Sequence, residues 1–451
     1  MLNRTAVINI VGLTESLIGP LMPRIERFRA GGASARIVPA FPAVTCTAQA
    51  NYLTGTTPSR HGIVANGWYD RQLAETHFWK QSNHLVAGPK IWEEMRRLHP
   101  EFTCAQLFWW FNMYSAADYS ITPRPAYPAD GRKVFDIYTS PAGIRPEIKK
   151  ALGEFPFPAF WGPAAGVDGP QGRADAASRW IAESAKWIEQ KYSPTLSLVY
   201  IPHLDYNLQR FGPSSPRIAA DLRQVDELAG DLISFFQGRG VRVVLLSEYG
   251  ITDVRQPVHL NRVFREQGWI AIREELGLEL LDCGASKVFA VADHQVAHIY
   301  LNDRSLESRA RDLLFRQPGV ESVLGAKEKT DAGIDHPRSG DLIAVAAKDA
   351  WFTYYYWLDD AVAPDFARCV DIHRKPGYDP VELFLDPQIP AVKLKILWRL
   401  LQKRLGFRML MDVVPLDARL VQGSHGRRGD TAGEQPVLIC ERANAGLPGQ
   451  M

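Results

Sequence analysis

Residues 41–70 run FPAVTCTAQANYLTGTTPSRHGIVANGWYD, and the reading of this stretch decides the fold. Thr45 stands three residues after Pro42, Thr54-Gly55 follows, and His61-Gly62-Ile63-x-x-Asn66 closes the unit. A threonine opening a helix meets free backbone N–H groups and the positive end of the helix dipole, a setting that favours a bound anion. Taken alone, such a threonine is more simply an N-cap. Around it lie four short apolar runs with the character of buried parallel strands, at 6–11, 104–110, 196–201 and 241–246. Between them, 90–98, 174–191 and 217–238 carry apolar residues near helical spacing. Strands alternating with helices imply a mainly parallel sheet covered on both faces. Ligands of such sheets sit beyond the carboxyl ends of the strands, so the residues following Val11, Ile201 and Leu246 are expected along one rim.

The chain has 451 residues, room for two or three average domains or one elaborated α/β core. A 46% hydrophobic, 23% charged composition is that of a globular protein. Fifty-two basic residues against fifty acidic leave a net charge of +2, which argues against nucleic acid and against bulk adhesion to anionic lipid. The first apolar run contains Asn9 and has no small-residue cleavage site after it, so it is read as a core strand and not a signal peptide. No apolar stretch reaches the roughly 18 to 20 residues that span a bilayer. Five scattered cysteines without a C-x-x-C pair (Cys46, Cys104, Cys283, Cys369, Cys440) are expected to be free thiols, which suits a cytoplasmic protein.

Two segments break the alternation. Residues 116–172 are rich in Pro, Gly and Tyr and read as a long ordered loop shaping a pocket. Beyond 256 the strand-like pieces shorten. The expected organisation is an α/β core of 1–255 and 371–430, an inserted α+β cap of 256–370, and a poorly ordered tail of 431–451. The aromatic run 351–357 offers rings for a stacking wall, part of which must face the core. Residues 393–408 form a basic amphipathic helix, expected to dock on the sheet with its cations in water. The same positive face also suits an anionic membrane or partner.

The 41–70 pattern is similar to the nucleophile segment of the type I phosphodiesterases and nucleotide pyrophosphatases, a branch of the alkaline phosphatase superfamily. The resemblance implies an alkaline-phosphatase-like core with a smaller cap, Thr45 as nucleophile, and Asn66 as the amide holding a phosphoryl oxygen. It also implies a two-metal site, and there the chain departs from the pattern. Val11-Gly12 stands where the family has Asp-Gly, and Asp205-x-x-x-Gln209 where it has Asp-x-x-x-His. Ser247-Glu248-Tyr249-Gly250 replaces Ser-Asp-His-Gly, while Ser424-His425-Gly426 is kept.

The implied function is a phosphoric ester hydrolase with a reduced metal site. One zinc or manganese ion is expected near Asp205 and His425, completed by Gln209, while the second set, Val11, Thr45, Glu248 and Tyr249, has lost two of its four groups and keeps Glu248 as a carboxylate ligand position. His203, two residues before Asp205 and on its side of an extended segment, is a candidate substrate-binding residue with Tyr249 and with His373 of the polar run 371–379. The expected partner is a small phosphate ester or related metabolite, not nucleic acid. The alternative is a catalytically silent member binding a phosphorylated or aromatic metabolite or a partner enzyme.

Overall fold

The apolar runs become strands. They are β1 (Thr5–Ile10), β3 (Cys104–Leu107), β6 (Leu196–Ile201) and β7 (Arg242–Leu246), and the same sheet adds β2 (Gly32–Arg36), β4 (Tyr119–Pro123) and β5 (Ile137–Ser140). Of the strands in the 256–370 region, four are used below: β8 (Val288–Asp293), β9 (Val296–Leu301), β10 (Val320–Leu324) and β11 (Leu342–Ala346). The last is β12 (Val437–Glu441). The computed structural model describes residues 2–170 and 172–441.

The central sheet has eight strands in the order β2-β12-β7-β1-β6-β3-β4-β5. β7, β1, β6, β3 and β4 run parallel to one another. β12 lies antiparallel to both β2 and β7, and β5 antiparallel to β4. Every residue of β6 is buried, as a strand covered on both faces must be. The expected α/β class is therefore what the chain adopts, a large, mostly parallel sheet with helices packed on it.

β12 corrects the expectation of a disordered tail over its described part. Residues 437–441 are an interior strand, inserted between β2 and β7 with Ile439 fully buried. Hydrophobic alternation over five residues was too short a signal against the Gly- and Arg-rich segment before it. Residues 442–451 lie outside the described residues.

The helices used below are α1 (Thr45–Thr54), α2 (Ala176–Tyr192), α3 (His203–Phe211), α4 (Ala219–Gly238) and α5 (Val392–Arg404). α2 packs on β6 and β3, and α4 on β7. The four strands β8–β11 form a separate antiparallel sheet in the order β8-β9-β11-β10. Its inner face meets the 41–70 segment directly: Phe41, Cys46, Ala50 and Ile63 share one apolar cluster with Val296, Ile343 and Val345.

Three further readings change. Rings of the 351–357 run are buried to within 1% and pack with Val254, Phe366 and Val414, so they are core and not a wall for a ligand. His203 opens helix α3 instead of lying on an extended segment. α5 does not dock on the sheet, and none of its residues is buried. All five cysteines are free and buried.

Candidate active site

β1, β6 and β7 are neighbours in the sheet, so the residues after their carboxyl ends meet at one rim. Val11-Gly12 follows β1, α3 with Asp205 follows β6, and Glu248-Tyr249 follows β7. Thr45 enters from above as the first residue of α1, whose N-cap Val44 is extended and supplies no side-chain cap. The Cys46 amide donates to Asn66 Oδ1 at 3.0 Å. The Thr45 and Thr47 amides have no acceptor of their own among the described residues. These free donors at a helix start are what an anionic oxygen would take.

A chain of hydroxyls runs from Thr45 into the rim. Thr45 Oγ1 and the Tyr249 hydroxyl are 3.1 Å apart, and that hydroxyl donates to Asp205 Oδ1 at 3.2 Å. One turn along α3, Gln209 Nε2 donates to Asp205 Oδ2 at 2.7 Å, and Gln209 Oε1 accepts from Tyr378 at 3.0 Å. Burial lifts the Asp205 carboxyl to about 7, even though the bonds from Tyr249 and Gln209 favour its ionised form.

Glu248 is fully buried behind this chain. Its Oε1 accepts from Asn9 at 2.5 Å and from Gln49 at 2.6 Å, while Oε2 has no partner among the described residues. Burial pushes its carboxyl up to about 8. Asn9, on β1, and Gln49, one turn into α1, escaped sequence reasoning because nothing local marks a buried amide as a carboxylate's partner.

Four rings from four chain segments stack beside Asp205. Tyr249 lies on His425 with centroids 3.6 Å apart and planes 8° apart, His425 on His294 at 3.6 Å, and His294 on Tyr378 at 3.7 Å. His425 is locked in place: its Nδ1 donates to the Ala43 carbonyl at 2.7 Å. The β8–β9 turn closes on the same loop, with Gln295 N donating to the His425 carbonyl at 2.8 Å. Burial lowers His425 to about 3 and His294 well below the usual range, so both rings are neutral. His294 holds the left-handed conformation (φ 58°) in the β8–β9 turn, a strained geometry often found where function demands it. Asp293 beside it accepts from the Asn66 backbone at 2.7 Å and from Asn66 Nδ2 at 3.1 Å.

The arrangement does not fit the implied metals. Zinc takes three or four protein donors in a compact shell, and among the described residues no group of three or more His, Cys, Asp or Glu side chains forms such a set. Of the implied ligands, Asp205 Oδ1 and His425 Nε2 lie 4.0 Å apart. Gln209 turns its amide nitrogen to Asp205 and commits its oxygen to Tyr378. In the second set Val11 is buried hydrocarbon, Tyr249 a neutral phenol, and Glu248 a carboxyl caged by amides.

A pocket enclosing about 950 Å³, the solvent at its mouth included, opens on this rim. Thr45, Asp205, Tyr249 and His294 are its buried end; Trp79, Trp110, Trp161, Tyr206 and Phe160 wall it; Lys133 and His373 also line it. His373 Nδ1 lies 3.2 Å from the Phe78 carbonyl. His203 is elsewhere: it sits 3.1 Å from Asp221 Oδ1, buried, and borders no part of the pocket. Asn66, Gln209, Glu248 and His425 likewise stand behind the lining.

Solved structures share this architecture. Phosphonoacetate hydrolase from Sinorhizobium meliloti, solved with phosphonoformate, superposes with a TM-score of 0.61 over 99% of this chain and 91% of its own, at 14% identity. Murine ectonucleotide pyrophosphatase/phosphodiesterase 5, solved as an inactive variant with AMP, gives 0.57 over 98% and 88%, at 13% identity. The fold is thus that of the alkaline-phosphatase-like hydrolases. Residues 5–379 match the profile of the type I phosphodiesterase/nucleotide pyrophosphatase family, and the chain belongs to that family. An uncharacterised pyrophosphatase/phosphodiesterase of Schizosaccharomyces pombe is 23% identical over 234 residues, 51% of this chain but only 40% of the yeast protein.

Proposed function

We propose that the chain is a phosphoric ester hydrolase whose nucleophile is Thr45 and whose substrate carries an aromatic leaving group. The observation that carries this reading is the hydroxyl chain from Thr45 through Tyr249 to Asp205 at the buried end of an aromatic pocket. In this reading Thr45 Oγ1 attacks phosphorus, its proton passes to the Tyr249 oxygen, and the Tyr249 proton moves to Asp205 Oδ1. The P–O bond to the leaving group breaks, and water later hydrolyses the phosphothreonine. A carboxyl near 7 is matched to proton transfer at neutral pH. An aryloxide is a stable enough anion to depart without a cation beside it, which agrees with aromatic walls and with a donor set short of metal ligands. Asn66, its oxygen spent on the Cys46 amide, positions the α1 terminus that receives the phosphoryl oxygens.

The test is hydrolysis of an aryl phosphodiester in the presence of chelator. Thr45→Ala is expected to abolish turnover, and Tyr249→Phe to lower kcat by about 10² to 10⁴ with KM retained. Undiminished turnover by Thr45→Ala would overturn the assignment. One observation favours a second reading, binding without turnover: Asn66, Gln209 and Glu248 are all held by neighbours instead of facing the pocket. Calorimetric binding of an aryl phosphonate by a wild type that hydrolyses no ester would select it.

A further inference from the structure

α5 stands apart from the rest of the molecule in the kind of surface it exposes. Leu394, Leu397, Trp398, Leu401 and Leu405 follow at helical spacing and make one stripe. All are exposed, Leu397 by 63% and Trp398 by 58%, and Phe407 continues the patch at the helix end. Contiguous exposed apolar surface of this kind marks a docking site.

Charge indicates what docks. Residues 387–411 contain six basic residues and no acidic one, in a chain whose net charge is only +2. Lys395 and Arg399 are tied to Asp412 at 2.8 and 3.0 Å. Lys393, Lys403 and Arg404 form no salt bridge among the described residues. A second copy of the chain meeting this face symmetrically would set the same cations against each other. An anionic bilayer instead accepts leucines and tryptophan in its acyl boundary and lysines and arginines at its headgroups.

We propose that α5 is an interfacial helix that rests its leucine-tryptophan stripe in an anionic lipid surface. This is independent of what the pocket hydrolyses. The helix is also coupled to the pocket wall. Lys403 Nζ lies 5.4 Å from the Phe135 ring, Phe135 stacks on Phe157 at 4.7 Å with planes 6° apart, and Phe157 lines the pocket. Docking therefore holds one side of the pocket beside the lipid.

The experiment is co-sedimentation of the full chain with phosphatidylcholine vesicles, with and without phosphatidylglycerol, at low and high salt. Binding is expected only to the anionic vesicles, weakening as salt rises. Replacing three cations (Lys393→Gln, Lys403→Gln, Arg404→Gln) should weaken it on the order of a hundredfold, at about fivefold each. Leu397→Ser with Trp398→Ser should abolish it. These side chains are at the surface, so both variants should keep the wild-type unfolding midpoint. If one does not, the lipid and salt dependence of the wild type decides. Failure of folded wild type to bind anionic vesicles, or equal binding to both vesicle types, overturns the proposal. So does a dimer in sedimentation velocity that Leu397→Ser/Trp398→Ser splits while no vesicle is bound, and so does capture of this face by an acidic protein alone.

Discussion

Replacing Glu248 by glutamine should make the protein more stable in alkaline solution while leaving it nearly unchanged in acid. Burial raises this carboxyl from an ordinary 4.5 to about 8. Between those values the folded chain keeps a proton that the unfolded chain has released. The stability contributed by that proton is complete below about pH 4.5 and is lost as pH rises through about 8. At about 1.4 kcal/mol for each tenfold difference in proton affinity, the loss amounts to roughly 5 kcal/mol. Glutamine is neutral at every pH and keeps an oxygen to accept from Asn9 and Gln49. Its amide nitrogen takes the place of Oε2, which has no partner among the described residues of the wild type. The swap should therefore cost no more than about 1 kcal/mol at low pH. Denaturant midpoints of both proteins from about pH 5 to pH 9 give the difference curve directly. Asp205 and Asp293, raised by burial to about 7, titrate in both proteins and largely cancel. A flat difference curve, or a Gln variant weaker than wild type at pH 8, would refute the reasoning. Either result would mean that Glu248 is ionised in the fold, as a metal-bound carboxylate would be.

Other consequences of the structure are equally direct. Zinc or manganese titration of wild type and His425→Ala by calorimetry should give the same weak response; tight binding lost in the variant would show that Asp205 and His425 suffice for an ion. Lys375 is buried between Asp379 at 2.7 Å and Glu382 at 2.8 Å, so Lys375→Met leaves two carboxylates unpaired and should cost about 3–5 kcal/mol by chemical denaturation. Ending the chain before Val437 removes an interior strand and should abolish cooperative unfolding, whereas a frayed tail would be dispensable. The rate of ester hydrolysis should climb with an apparent pKa near 7, as Asp205 becomes able to take the relayed proton; an unchanged limb in Asp205→Asn would assign that ionisation elsewhere.

Much of the fold was legible in the residues because its signals are local. β1, β3, β6 and β7 begin within a residue of their apolar runs, since a strand buried on both faces must be written as continuous hydrocarbon. The 41–70 segment announced Thr45 at a helix start for the same reason: the turn, the helix and the closing Asn66 are contiguous. The losses of Val11, Gln209 and Tyr249 were visible too, as single substitutions in a spaced pattern.

What replaced the lost groups was not visible. Tyr249, His294, Tyr378 and His425 come from four distant segments and form one stack. Only packing brings them together. A sequence shows that Gln209 carries a donor and an acceptor, but its value as a ligand depended on Tyr378 having already taken the acceptor. His203 and Asp205 exchanged an assumed common side for two sides of a helix once the chain after β6 coiled instead of extending. The same limit applies at the surface. Periodicity and charge fixed α5 as amphipathic and basic, because these are properties of one helix. Whether its apolar stripe is covered depends on where the neighbouring elements lie, and only the tertiary structure shows that none of the described residues covers it.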